Sequence, residues 1–78
     1  MARVLLFGRL SDIAGWRSRE VEAGSIAALR ALLSEDEGLA QALAAPGVQV
    51  ALDQAIVRGD AALSRGSEVA FLPPMSGG

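Results

Sequence analysis

The chain has 78 residues, 51% of them apolar, with a mean hydropathy of +0.37 and a net charge of −2. Its seven cations are all scattered arginines, and it holds no His, Cys, Lys or Tyr. That inventory excludes catalytic triads, Schiff-base lysines, disulfides and the ordinary zinc sites, and the lack of a basic patch argues against nucleic acid.

Residues 3–9 read as a first strand. Neighbours in a strand point to opposite sides, so Val4 and Leu6 form one set and Leu5 and Phe7 the other. Its apolar run, Val4 to Phe7, is too short for a secretory signal, and no run approaches the ~20 residues that span a membrane. The expected location is therefore the cytoplasm. Residues 10–16 read as a connector, with Ser11-Asp12 starting a turn, Gly15 ending it and Trp16 as a half-buried lid on the core. Residues 17–22 alternate weakly around Val21 and predict a polar edge strand.

Ser25 is a good N-cap, and Ile26, Leu29, Leu32 and Leu33 follow at helical spacing. The main helix is predicted over 25–34, with Arg30 on its wet side. Ser34 and Glu37 match a capping box for a second short helix, whose apolar side is Leu39, Ala40 and Leu43. In this reading Glu35-Asp36-Glu37 restarts a helix and is not a metal site. Pro46-Gly47 ends it. Val48, Val50 and Leu52 alternate as a third strand, Asp53-Gln54 interrupts, and 55–57 make a fourth. Gly59-Asp60 and Arg65-Gly66-Ser67 signal turns. The last strand is Val69 to Leu72, ended by Pro73 and Pro74, which offer no N–H to a ladder.

The order β-β-α-(α)-β-β-β predicts an α+β domain, a mixed sheet with one main helix across one face. The first and last strands are the most apolar and are placed side by side, parallel, at the centre. Val4, Leu6, Val57, Val69 and Phe71 are assigned to the helix side. Leu5, Phe7, Ile56 and Leu72 then lie on the open face, where Phe7, Ile56 and Leu72 are the candidate partner-binding residues. The domain is expected over 1–72, with 73–78 a flexible tail of Pro74, Met75, Ser76, Gly77 and Gly78. Diglycine is the thinnest end a polypeptide can have, able to thread a channel and lie flat against a nucleotide. Side-chain carboxylates remain as possible acids or bases, but nine scattered ones read as solvated surface, so the one unusual candidate reactive group is the Gly78 carboxylate.

The closing run Gly66-Ser67-Glu68-Val69-Ala70-Phe71-Leu72-Pro73-Pro74-Met75-Ser76-Gly77-Gly78 resembles the ending of the molybdopterin synthase small subunits, MoaD-type sulfur carriers of the ubiquitin-like β-grasp family. Val4-Leu5-Leu6-Phe7, with Leu10 and Gly15, is similar to that family's opening, and Leu52-Asp53-Gln54-Ala55-Ile56-Val57 to its V-N-Q-x-x-V segment. Asp53 stands in place of the usual Asn, Ser67 of an acid and Leu72 of an aromatic. The resemblance implies a β-grasp fold and a Gly78 carboxylate that is adenylated and then converted to a thiocarboxylate. It implies no intrinsic cofactor, ATP being used by an adenylating activating enzyme. The other partners it implies are a sulfurtransferase or desulfurase and the synthase large subunit, in a heterotetramer. There the sulfur would build the molybdopterin dithiolene from cyclic pyranopterin monophosphate. Carriers for thiamin, tRNA thiolation or cysteine, a ubiquitin-like protein modifier and a plain interaction module remain the alternatives.

Overall fold

Strand alternation at the two ends of the chain decides the architecture. In a computed structural model, which describes residues 1–74, β1 (Ala2–Leu6) and β5 (Glu68–Leu72) form a parallel pair inside a five-stranded sheet. β2 (Ser18–Val21) pairs antiparallel on the outer side of β1. β3 (Gln49–Leu52) pairs antiparallel with β5, and β4 (Ala55–Val57) closes the other edge, giving the order β2-β1-β5-β3-β4. The predicted mixed sheet, its central parallel pair and its polar edge strand are all present.

Three helices accompany the sheet: α1 (Arg9–Ala14), α2 (Ile26–Leu33) and α3 (Glu37–Leu43). The core lies between the sheet and these helices. Val4, Leu6, Val69 and Phe71 project into it from the central strands, and Ile26, Leu29 and Leu33 meet them from α2. Val57 is half-buried against the same cluster, so all five residues expected on the helix side are there. Trp16 is half-buried on the core edge with the Arg19 guanidinium 4.6 Å above its ring, the expected lid.

Four local expectations are corrected. Residues 10–16 are not a plain connector, because α1 occupies most of them and buries Leu10. Its N-cap is Gly8, with no side-chain cap bond, and Gly15 ends it in the left-handed region with its N–H on Ser11 O. One buried residue in six leaves no periodicity to detect. The cap of α3 is Asp36, whose carboxylate accepts from Leu39 N at 3.1 Å; Ser34 instead closes α2, its hydroxyl on Arg30 O. Leu32 is 42% exposed. At about 100° per residue it stands roughly a quarter-turn from the stripe centred on Ile26, Leu29 and Leu33. Arg30 is not on the wet side: it is half-buried, with its guanidinium 5.5 Å over the Phe71 ring.

The connections are tied by side chains whose roles are non-local. Asp60 Oδ1 accepts from Ala27 N at 2.8 Å while Ser25 Oγ accepts from Ala28 N, so α2 has two caps, one from 33 residues downstream. Asp53 N donates to Glu68 O, and the Asp53 carboxylate accepts from Glu68 N at 2.9 Å, which clamps the β3–β4 turn to the start of β5. Ser67 is buried, and its hydroxyl accepts from Ser64 N at 2.9 Å.

Leu29 has no exposed surface, so Leu29→Ala should lower unfolding free energy by about 2–5 kcal/mol, read from urea denaturation. The β3–β4 turn has positive φ at both central residues, Asp53 (49°) and Gln54 (73°). Turns of that hand favour Gly at the second place. Gln54→Gly should therefore raise stability by about 0.5–1 kcal/mol in the same assay; a loss would mean that the turn is held by something other than its backbone preference.

Candidate functional site

Register fixes what the uncovered face of the sheet displays, since paired residues point to the same side. Leu5 pairs with Ala70, Ala70 with Ala51, and Ala51 with Ile56, so one row runs Leu5, Ala70, Ala51, Ile56 across four strands. Leu72 pairs with Gln49 in the next row. Phe7 extends the β1–β5 pairing one step beyond the strand, with its N–H 3.3 Å from Phe71 O. The result is a surface with two alanines in its middle and larger apolar groups around them. At its other end Arg3 pairs with Glu20 and Glu68, a charged border.

Of the three residues expected to be exposed here, Phe7 (45%) and Ile56 (49%) are. Leu72 is only half-buried, as is Leu5, because both sit on inner strands with neighbours on each side. The two central alanines were not singled out from sequence. An alanine carries no local sign of being the floor of a surface, and only cross-strand register places Ala51 and Ala70 together.

The chain leaves the sheet from the same end as Phe7. β5, an inner strand flanked by β1 and β3, runs directly into Pro73 and Pro74. Pro73 is half-buried, whereas Pro74 is exposed at the rim of an open hollow of about 320 Å³ between α1 and α3, lined also by Arg9, Leu10, Ile13 and Ala42. Met75, Ser76, Gly77 and Gly78, the remaining tail residues expected to carry the chemistry, lie outside the described residues. Among the described residues, no group of three His, Cys, Asp or Glu side chains could hold a metal ion. No helix there is long and apolar enough to cross a membrane. What the geometry offers is an apolar face, with Pro73 and Pro74 leaving the sheet at one side of it.

Comparison with known proteins finds relatives of the same fold. The model of the ThiS family fits residues 4–78. The molybdopterin synthase sulfur carrier subunit of Escherichia coli (strain K12) is 35% identical over 81 residues, covering 100% of both chains. Among solved structures, the complex of subunits 1 and 2 of the molybdopterin-converting factor from Helicobacter pylori 26695 contains a similar chain. The TM-score is 0.77 at 27% identity, over 99% of this chain and 97% of that one. SAMP1 from Haloferax volcanii gives 0.81 at 25% identity, over 99% and 98%. The predicted ubiquitin-like β-grasp fold is thus the observed one.

Phe7 is outside the core, so Phe7→Glu should change unfolding free energy by no more than about 0.5 kcal/mol, the usual range for a surface position. A denaturation midpoint that collapses in this variant would show that the face is structural.

Proposed function

Because this chain belongs to the ThiS family, we propose that it is the sulfur-carrying small subunit of a molybdopterin synthase, with the Gly78 carboxylate as the carrier group. The observation that carries the proposal is the match to the E. coli sulfur carrier subunit along the whole of both chains. The geometry supports it, since a domain without His, Cys, Lys or Tyr has an apolar face at the end of the sheet where Pro73 and Pro74 leave it.

The chemistry follows from what a carboxylate lacks. At neutral pH it is a poor electrophile. A Gly78 oxygen attacks the α-phosphorus of ATP in an activating enzyme, pyrophosphate leaves, and an acyl adenylate forms. Sulfur delivered by a sulfurtransferase or desulfurase attacks the acyl carbon, and AMP leaves with the C–O electron pair. The donor's persulfide sulfur is then joined to Gly78 as an acyl disulfide. A thiol, acting as reductant, attacks the donor's sulfur, leaving a Gly78 thiocarboxylate and a disulfide on the donor side. In the large subunit this sulfur attacks a carbon of a cyclic pyranopterin monophosphate, and an oxygen substituent leaves that carbon. Water then hydrolyses the resulting thioester, restoring the Gly78 carboxylate and leaving the sulfur on the pterin. Two such transfers supply the two sulfurs of the dithiolene. The Helicobacter pylori complex of subunits 1 and 2 supports a large subunit as partner.

Weak docking suits a carrier that visits several partners. Phe7 and Ile56 are about half exposed and Leu72 less, so burying what remains gives about 2–4 kcal/mol gross. Joining two proteins costs about 4–15 kcal/mol. The face alone is insufficient, and the tail must add main-chain contacts. Phe7→Glu should therefore weaken binding to both the activating enzyme and the large subunit, while Leu29→Ala should leave both affinities near the parent's.

A second reading is favoured by one observation, the likeness to SAMP1, described as small archaeal modifier protein 1. A modifier and a carrier share the adenylation step and differ in product. Carriage of sulfur to thiamin, tRNA or cysteine would share the thiocarboxylate and differ in its acceptor. Intact-mass analysis after incubation with ATP, an activating enzyme and a sulfur donor separates carrier from modifier. The expected product has one C-terminal oxygen exchanged for sulfur, whereas isopeptide-linked conjugates would favour the modifier. Deleting Gly78, or Gly77→Val, should leave the unfolding midpoint unchanged and abolish transfer. Transfer retained without Gly78 would overturn the proposal.

A further inference from the structure

The two prolines at which the chain leaves the sheet each rest against a glycine from a different part of the fold. A methyl group added at Gly8, between β1 and α1, would stand 3.1 Å from Pro73 Cγ. One added at Gly47, between α3 and β3, would stand 3.0 Å from Pro74 Cβ and 3.5 Å from Pro74 Cα. Contacts near 3.0 Å are closer than a real Cβ tolerates without displacement of its neighbour. Both glycines also have positive φ, 58° and 89°, where a side chain is strained.

We propose that Gly8 and Gly47 form a two-sided notch that sets the direction in which the C-terminal tail leaves the domain, making them positioning residues for delivery of Gly78. Each proline has φ fixed near −65° by its ring, and each restricts the residue before it, so Leu72-Pro73-Pro74 is a stiff, extended segment. A stiff segment seated at two successive residues has its exit direction defined. The four residues beyond Pro74 can reach at most about 14 Å, so a change of direction at Pro74 is magnified at Gly78. A notch built of side chains would hold the prolines farther from the backbone and could yield by rotamer changes. Bare backbone at both positions allows close seating and leaves nothing to rotate.

The consequence for transfer rests on the carrier reading, but the exit geometry can be tested without it. The chain has no cysteine, so Ser76→Cys gives a unique nitroxide site, and paramagnetic relaxation of the α1 and α3 amides reports where the tail points. Gly47→Ala should shift that relaxation profile. Gly66→Ala is the control: its φ of 87° imposes the same strain, nothing lies within 4 Å of the added methyl, and it precedes β5 at the far end of the strand from the tail. It should leave the profile unchanged. In a Pro74→Gly background, where the opposing Cβ is gone, Gly47→Ala should have no further effect. Pro74→Ala, at an exposed position that does not threaten folding, removes the ring facing Gly47 and should shift the profile by itself. In the enzymatic arm, Gly47→Ala should lower kcat/KM for adenylation by about tenfold or more while Gly66→Ala does not, in keeping with the steep dependence of rate on placement. The proposal is overturned if Gly66→Ala matches Gly47→Ala, if the effect of Gly47→Ala survives in the Pro74→Gly background, or if Pro74→Ala leaves the profile unchanged. A parent chain that is not adenylated at all would count against the carrier reading alone, since the relaxation arms would still decide the notch.

Discussion

The parallel pairing of β1 with β5 is the contact on which the rest of the structure depends. It joins the two ends of the chain, and residues from both strands alternate between a dry and an open side. Val4, Leu6, Val69 and Phe71 are at most 3% exposed beneath the helices, while Leu5 and Ala70 share the other face. A register slip by one residue would exchange these sets and put the core in water. Because β5 is internal, with ladders to β1 and β3, the last described residues continue from an inner strand of the sheet rather than from a fraying edge.

Around that pair, a few polar side chains fasten the loops. Asp60 caps α2 from across the fold, Asp53 holds the β3–β4 turn to Glu68, and buried Ser67 satisfies Ser64 N just before β5 begins. Among the described residues, no buried side-chain nitrogen or oxygen lacks a hydrogen-bond partner. For a domain of this size that matters, because an unsatisfied buried group costs about 1–3 kcal/mol against a small total stability.

The division of labour between the two sides of the sheet is a matter of what covers them. The helical side is closed by the three helices and carries Val4, Leu6, Val50, Val69 and Phe71. The open side keeps two alanines in the middle and Phe7 and Ile56 toward its margins, an apolar surface whose burial alone does not offset the cost of joining two proteins.

Much was decided locally and could be read from residue order. Alternation in Val4 to Phe7 and Val69 to Leu72 determined the two central strands and which of their residues face the helix, and Ser25 with Ile26, Leu29 and Leu33 determined α2. The terminal Gly-Gly after a double proline, in a chain without His, Cys, Lys or Tyr, pointed to the family. Tertiary structure alone decided the rest. Whether Asp36 or Ser34 caps α3, whether Arg30 faces water or Phe71, and whether Leu32 is covered depend on the orientation of a helix against a sheet, which no window of sequence contains. α1 forms because Leu10 has a core to enter, a cause its six residues do not express. Gly8 and Gly47 look like ordinary loop glycines until the fold brings Pro73 and Pro74 against them, because a missing side chain becomes informative only beside the neighbour that needs the space.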